Sequence, residues 1–253
     1  MSVAVMIGIL LVLFLINVPI AWALGISSLL TLVIFADVPL VVVAQRMFTG
    51  TDSFTLIAIP FFLLAGELME KAGISDRLIG LSQALVGHLR GGLANVSIGG
   101  SMMFSAVSGS GIAATAAMGK ITIPAMVKRG YDPAFAVSVQ ATAGAMGIII
   151  PPSIVMILYS VISGASVSDM FIGGIIPGVM MGLALMVTGY VISRRRGYPT
   201  ETRVPTAELP MRLLKAVPAL LMPIIILAGI LLGVVTATES AVLAVVYAII
   251  TGV

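Results

Sequence analysis

The sequence contains no cysteine and a single histidine, His88. The missing cysteines exclude disulfides, zinc ribbons and thiol catalysis, and one histidine cannot build a multi-histidine metal site. Charge is scarce as well: 9% of the 253 residues are charged, whereas a soluble domain carries about 25% because its surface must face water. This is too little charge to cover a soluble globule.

Apolar residues are abundant instead, at 60% of the chain. Several uninterrupted stretches reach the ~20 apolar residues that a membrane helix needs. We therefore predict an all-α membrane protein, a multi-spanning helical bundle in the lipid bilayer. The first residues lack the basic start of a cleavable signal, so we expect the first helix to remain in the mature protein. The net charge of +3 lies in loops, where it reports orientation and does not indicate a nucleic-acid partner.

The first 90 residues read as membrane helices with one interfacial helix. An apolar span over Val3–Leu24 resumes at Ile26–Phe35 after Gly25, as one long bent helix or as two elements. The chain then breaks at Asp37-Val38-Pro39. The further predicted elements are an interfacial helix at Leu40–Phe48, a span at Phe54–Met69, and a short span or interfacial helix at Ile74–Leu89.

The segment 91–127 is apolar but is broken in its middle by Ser108-Gly109-Ser110-Gly111. Each arm has roughly 16 residues and rises about 24 Å, which falls short of the ~30 Å hydrocarbon core. Two short arms around a glycine-serine tip predict a re-entrant helical hairpin. Irregular backbone at that depth is tolerated only inside protein or beside a water-filled cavity.

A second break follows in the helix predicted over 134–160, where Gly144 and Gly147 precede Pro151-Pro152-Ser153. Proline lacks an amide donor and disfavours helical geometry in the residue before it, so the pair predicts a discontinuous helix with open carbonyls upstream. We assign 91–165 to one functional region holding both breaks.

The rest of the chain contains a membrane helix, a polar loop and another apolar segment. The helix at 166–193 carries Gly174, Gly178 and Gly182 at a spacing suited to close helix contact. The loop at 194–215 is rich in arginine, which places it in the cytoplasm. Apolar sequence over 216–253 is interrupted at 236–240 and is still apolar where the sequence stops, so we expect this chain to be part of a longer protein.

The two breaks form the candidate binding site. Unwound helix exposes carbonyl oxygens, which are ligands for a hard cation such as Na⁺, and half-helix N-termini direct positive dipole ends at anions. The alternative interpretation is that each kink serves packing alone. The candidate ion- and substrate-binding residues are Ser108, Gly109, Ser110, Gly111, Thr142, Gly144, Gly147, Pro151, Pro152 and Ser153, with Ser108, Ser110, Gly144 and Gly147 as Na⁺ ligands.

Two ionisable residues lie in apolar segments and are further candidates. Lys120, in the second hairpin arm, is expected either to snorkel towards the surface or to pair with a carboxylate. Glu239 is either functional or the cap of a half-helix.

The order of several motifs resembles the large permease (M) subunit of tripartite ATP-independent periplasmic (TRAP) transporters. The resemblance runs through most of the chain, and it rests on Ile59-Pro60-Phe61-Phe62, Ser108-Gly109-Ser110, Ala113–Gly119, Ile123-Pro124-Ala125-Met126, Lys128-Arg129-Gly130-Tyr131, Gly147–Ile154, Ile176-Pro177-Gly178 and Arg194–Pro199. At Thr236-Ala237-Thr238-Glu239-Ser240 the chain departs from the family's usual Thr-Pro-Thr-Glu-Ala.

The resemblance implies an elevator-type, inverted-repeat sodium symporter of the bacterial inner membrane, of which this chain is the first repeat and the start of a second. Residues 1–90 would then be scaffold and 91–165 the transport region. The implied partners are a small membrane (Q) subunit, a periplasmic substrate-binding protein and a small organic carboxylate of the C4-dicarboxylate or sialic-acid type. Na⁺ would be the coupling ion, with no other cofactor.

Two other function classes were weighed. A channel or passive pore would use the hairpin tip as a filter. An intramembrane enzyme is disfavoured because the sequence has no Gly-x-Ser-x-Gly elbow and no cysteine.

Overall fold

The computed structural model describes residues 2–36, 39–201, 203–205 and 207–252. Over these ranges the chain forms twelve α-helices and no strand, so the predicted all-α fold is confirmed. The predicted break at Asp37 and Val38 lies outside the described residues, as does the final Val253.

The chain divides into two compact units, 1–53 and 54–253. The first unit contains α1 (Ser2–Leu15), α2 (Ile20–Phe35) and α3 (Leu40–Thr51). The prediction of a continuous span over Val3–Leu24 is wrong, because the chain turns at Asn17, whose φ is +62°. Asparagine tolerates this left-handed conformation. Pro19 is the N-cap of the next helix, where its missing amide hydrogen costs no helical hydrogen bond. Gly25, the sequence's apparent stop, lies inside α2.

The second unit holds the remaining nine helices of the described chain. They are α4 (Ala58–Lys71), α5 (Ile74–Val86), α6 (Gly92–Ser108), α7 (Gly111–Lys128), α8 (Pro133–Ala145), α9 (Ile154–Ser163), α10 (Val167–Arg195), α11 (Leu209–Leu231) and α12 (Ala237–Gly252). Short 3₁₀ turns precede α4 at Phe54–Ile57 and follow α8 at Met146–Ile148. The polar loop is shorter than predicted, because α10 ends and α11 begins inside its expected limits.

Two continuous helices, α10 and α11, are long and apolar enough to cross a membrane among the residues described. The predicted hairpin is present as α6 and α7, and the predicted discontinuous helix is present as α8 and α9. These four helices are shorter than the long spans, as expected for elements that meet part-way through a bilayer.

A hydrophobic core joins α4, α5, α11 and α12 to the hairpin. Its largest buried side chains include Phe62, Leu78, Phe104, Met118 and Met222. Polar bonds add to this packing, because Tyr247 donates to the Pro218 carbonyl (2.8 Å) and Ser240 donates to that of Ile226 (3.2 Å). These two hydrogen bonds hold α12 against α11.

The glycine row of α10 packs where the sequence predicted close contact. A Cβ on Gly174 would lie 2.6 Å from the Ile149 carbonyl oxygen, and one on Gly178 would lie 2.8 Å from the Ile150 side chain. Gly182 faces Met102 of the hairpin in the same way. Helix α10 therefore packs closely against Ile149 and Ile150 of the unwound segment.

The loop after α10 closes over the base of the hairpin. The Tyr198 ring stacks on Tyr131 at 4.3 Å, and its hydroxyl accepts a hydrogen bond from the Asp132 amide (3.2 Å). Arg196 donates to the same hydroxyl, and Arg129 pairs with Glu201 at 3.0 Å. Burial raises the pKa of Tyr131 to about 12.

Removing the Tyr198 ring should uncover Tyr131 and return its pKa towards its ordinary value of 10.0. Tyr198→Ala is expected to show this change and Tyr198→Phe, which keeps the ring, is not. Because the folded-state pKa is raised, the stability gained from neutral Tyr131 is complete below pH 10 and is lost as the pH rises towards 12. Tyrosinate absorbance, with a Tyr131→Phe variant subtracted, measures the pKa. Equal titration in both Tyr198 variants would contradict the stacking argument.

Candidate functional site

The two predicted breaks meet in the structure. Helix α6 ends at Ser108, and Gly109 turns the chain with a φ of +63°. The Gly109 carbonyl accepts a hydrogen bond from the Ile154 amide at 3.1 Å, which joins the hairpin tip to the first residue of α9. A Cβ on Gly109 would also lie 2.7 Å from the Pro152 carbonyl oxygen. Glycine is required here by both the backbone conformation and the close approach.

The chain approaches α7 equally closely at two glycines, Gly144 in α8 and Gly147 in the 3₁₀ turn that follows. A Cβ on Gly144 would overlap the Thr115 hydroxyl and lie 3.0 Å from the Thr115 Cα. A Cβ on Gly147 would lie 2.8 Å from both the amide nitrogen and the Cα of Gly111. The end of α8 and the start of α7 are therefore in direct backbone contact, which larger residues would prevent.

Two helix N-termini converge at this junction. Ser110 caps α7 by accepting from the Ala113 amide (3.3 Å). Ser153 precedes α9 but does not cap it, since its hydroxyl donates instead to the Ile148 carbonyl at 2.7 Å. The positive dipole ends of α7 and α9 thus lie next to the carbonyl ends of α6 and α8, so the junction offers both kinds of partial charge.

Neutral oxygens supply the polar atoms at the tip. Ser108 is buried, and its hydroxyl is only 3.4 Å from the Ser110 amide and carbonyl, at the long limit of a hydrogen bond. Ser105 is fully buried and its hydroxyl has no hydrogen-bond partner among the described residues. That hydroxyl would lie 3.0 Å from a Cβ on Gly147. A buried hydroxyl without a partner beside two helix ends suits a ligand that is not part of the chain.

Sequence reasoning missed Ser105. Its only signal was its position one turn before Ser108 on the same face of α6, and that signal has no value until α8 is known to pack there. Thr142, by contrast, lies apart from the tip. It is exposed, and its hydroxyl donates to the Ser138 carbonyl of its own helix at 2.8 Å. Pro151 and Pro152 are buried in the unwound segment.

An open cavity of about 680 Å³ borders the tip. Its walls are mostly apolar, and its lining residues include Ser110, Gly111, Ile112, Ala116, Ala141 and Ala145. The polar backbone of the tip therefore borders a cavity whose wall combines alanines of α7 and α8 with larger apolar side chains such as Ile148 and Ile154.

Gln140 holds the broken helix to the hairpin. Its side-chain oxygen accepts from Ser97 (2.5 Å) and Thr122 (3.2 Å), and its amide donates to Ser101 (3.2 Å) and to the Ala114 carbonyl (3.3 Å). Each polar atom of the buried amide is therefore paired, which fixes its orientation. All four bonds reach the two hairpin helices, α6 and α7.

Glu239 caps α12. Its carboxylate accepts from the Thr236 amide (2.7 Å) and hydroxyl (2.9 Å), and its own amide donates to that hydroxyl (3.3 Å). This reciprocal pair is a capping box. The capping alternative for Glu239 is therefore confirmed.

Comparison with known proteins gives a consistent assignment. The sequence profile of the family described as "Tripartite ATP-independent periplasmic transporter, DctM component" matches residues 7–253. The chain is 45% identical to the isethionate TRAP transporter permease protein DctMQ of Oleidesulfovibrio alaskensis, over 94% of this chain and 38% of that protein. It is 43% identical to the C4-dicarboxylate TRAP transporter large permease protein DctM of Pseudomonas aeruginosa, over 89% and 53%.

A third relative is the sialic acid TRAP transporter permease protein SiaT of Haemophilus influenzae, 38% identical over 96% of this chain and 39% of that protein. The chain thus spans between 38% and 53% of the length of these three relatives.

Adding one methyl group at Gly147 should separate the hairpin from the broken helix. Gly147→Ala is expected to cost about 1–3 kcal/mol in unfolding free energy, because its Cβ would meet backbone atoms that cannot move independently. Gly173→Ala is the matched control, since nothing lies within 4 Å of its Cβ position in α10. Thermal unfolding of the purified protein compares the two. Equal melting temperatures would show that the contact is not close.

Replacing Gln140 should loosen the same junction without adding volume. Gln140→Leu leaves the buried Ser101 hydroxyl without its partner, at an expected cost of about 1–3 kcal/mol. Faster amide hydrogen exchange is expected in α6 and α7. Gln45→Leu, at an exposed position of α3, should change neither measurement. Unchanged exchange in Gln140→Leu would mean that packing alone holds the hairpin.

Proposed function

Because the chain belongs to the family of the DctM component of tripartite ATP-independent periplasmic transporters, we propose that it is the hairpin-bearing part of a sodium-coupled importer. The resemblance predicted from the sequence is thereby confirmed at the level of the family. The observation that supports the transport proposal most directly is the meeting of the hairpin tip with the unwound helix at the Gly109–Ile154 hydrogen bond.

The residues at this junction fit a monovalent hard cation. They offer backbone carbonyls and serine hydroxyls without formal charge, and Na⁺ is bound at unwound helices of secondary transporters by such groups. Ser108, Ser110, Gly144 and Gly147 remain the proposed ligands, and the unpartnered buried hydroxyl of Ser105 joins them. Binding there would order the tip against α8 and so couple ion occupancy to the shape of the adjacent cavity.

The proposed solute is a small organic anion. The three relatives are named for isethionate, C4-dicarboxylates and sialic acid. These solutes share an oxyanion, a sulfonate in the first and a carboxylate in the other two. The positive ends of α7 and α9 favour such a group beside the tip. We take the carboxylates as the first class to test.

The proposed partners follow from the tripartite organisation of the family. They are a small membrane (Q) subunit, as in the relative named DctMQ, and a periplasmic substrate-binding protein that delivers the solute. The proposed location is the bacterial inner membrane, with the loop after α10 in the cytoplasm. In this arrangement the region 91–165 moves as the transport element against a scaffold, and the second repeat lies in the remainder of the full-length protein.

Sodium coupling is tested by uptake into proteoliposomes that contain the full-length permease and both partners. Uptake of succinate, N-acetylneuraminate or isethionate should require an inward Na⁺ gradient and should stop when the gradient is dissipated. Ser108→Ala is expected to raise the half-saturating Na⁺ concentration by about tenfold, the equivalent of one lost ligand of about 1.4 kcal/mol. Ser138→Ala is the control, because that exposed hydroxyl bonds only within α8.

Two results would count against this proposal. Uptake that ignores the Na⁺ gradient would remove the coupling. Downhill flux without the binding protein, at a rate like that of a pore, would favour the channel alternative.

A further inference from the structure

We propose that Lys120 is the cation that binds the oxyanion of the transported solute. This inference rests on the proposed function and names the residue through which the solute's charge is recognised. It starts from the position of Lys120 half-way along α7, about 12 Å from either helix end at 1.5 Å per residue.

Lys120 lies on the same face of α7 as the cavity wall. Ile112 and Ala116 line the cavity, and Lys120 follows Ala116 by four residues, which is one helical turn on the same face. All three side chains are exposed. The adjacent face, formed by Gly111, Thr115 and Gly119, contacts the α8 segment, and its Gly111 and Thr115 also line the cavity.

The facing wall has the same depth along α8. A Cβ on Gly119 would lie 3.1 Å from the Gln140 side chain, so the neighbouring Lys120 is level with Gln140 and Ala141. Ala141 lines the cavity on the α8 side. Ala116, the last α7 residue that lines the cavity and one turn before Lys120, and Ala141 each add only a methyl group to the cavity wall.

No carboxylate of the described chain neutralises Lys120. The ion pairs among the described residues are Arg129–Glu201 and Arg212–Glu208. Snorkelling would not carry the ammonium to the polar turn after Lys128, because a lysine stem spans only roughly half of the distance along α7. An intramembrane ionisable residue without a fixed partner marks a solute or ion pathway.

The chemistry of the solute supplies the missing partner. An ammonium group is a compact point charge that can donate hydrogen bonds to a carboxylate or a sulfonate alike. The planar guanidinium group of arginine, by contrast, favours a bidentate geometry. A single lysine in this chain therefore suits either kind of anion among the proposed solutes. In this arrangement the tip orders around Na⁺, and Lys120, about two and a half turns along α7, attracts the oxyanion from the side opposite to the positive end of α7.

Transport kinetics of the full-length permease with its partners provide the first test. Lys120→Met should raise the half-saturating solute concentration by about ten- to a hundredfold, as expected for a lost charge-assisted hydrogen bond. The half-saturating Na⁺ concentration should stay unchanged, which a general structural defect would not produce. Lys120→Arg keeps the charge and should retain most of the affinity. Lys128→Met, at the polar end of the same helix, is the matched control and should behave as the wild type.

Chemical rescue separates charge from shape, and it uses the absence of cysteine from this chain. In a full-length permease whose other cysteines are replaced, Lys120→Cys should lose solute affinity as Lys120→Met does. Treatment with 2-aminoethyl methanethiosulfonate restores an ammonium group and should restore affinity, whereas the neutral methyl reagent should not. Equal affinity in Lys120→Met and wild type, or rescue by the neutral reagent, would overturn the proposal.

The labelling rate of Lys120→Cys tests, without a transport measurement, whether this position is accessible to water and protected by the solute. The charged reagent should label this cysteine readily, and saturating succinate, N-acetylneuraminate or isethionate should slow labelling in the absence of Na⁺. Absence of labelling would place Lys120 against lipid, and labelling that none of the three anions slows would assign it another partner. Either result overturns the proposal. Uptake that is independent of Na⁺, with protected labelling, would instead refute the coupling and leave the anion site standing.

Discussion

The close contact between the hairpin and the broken helix is the constraint on which the rest of the site depends. Thr115 packs on Gly144, and Gly111 packs on Gly147, at distances that leave no room for another methyl group. Only this approach brings the Gly109 carbonyl to the Ile154 amide and closes the tip. The same contacts shape the cavity, since residues of α7 and α8 form part of its wall.

The tip and the Gln140 network differ in how far their polar groups are paired. The contacts at the tip are backbone to backbone and leave donors and acceptors available, while the Gln140 network one or two turns away pairs all of its own atoms. A satisfied buried network specifies one arrangement of helices. The unsatisfied hydroxyl of Ser105 lies at the tip, where a ligand would complete it. The Gln140 network therefore fixes the junction, while the Ser105 hydroxyl has no partner among the described residues.

Local chemistry made much of the site predictable from the sequence. Glycine and paired prolines act within a few residues, so the breaks at 108–111 and 144–153 were found with limits close to those observed. Asn17 was harder, because the sequence offers Gly25 as the more obvious stop and only the backbone shows which residue is left-handed. Ser105 and Gln140 owe their roles to a helix that packs from elsewhere in the chain, and no local pattern marks such a contact. Glu239 fell between these cases, since a capping box and an intramembrane acid look alike until the hydrogen bonds are known.

The side chains of the tip also determine how any cation binding there would respond to pH. From Ser105 to Gly111, and from Gly144 to Ser153, every side chain is hydroxyl, aliphatic, thioether or absent, so none titrates in the physiological range. A proton therefore cannot replace a metal ion there by neutralising a carboxylate. Any cation held at this junction meets the same uncharged oxygens in acid and in alkaline surroundings.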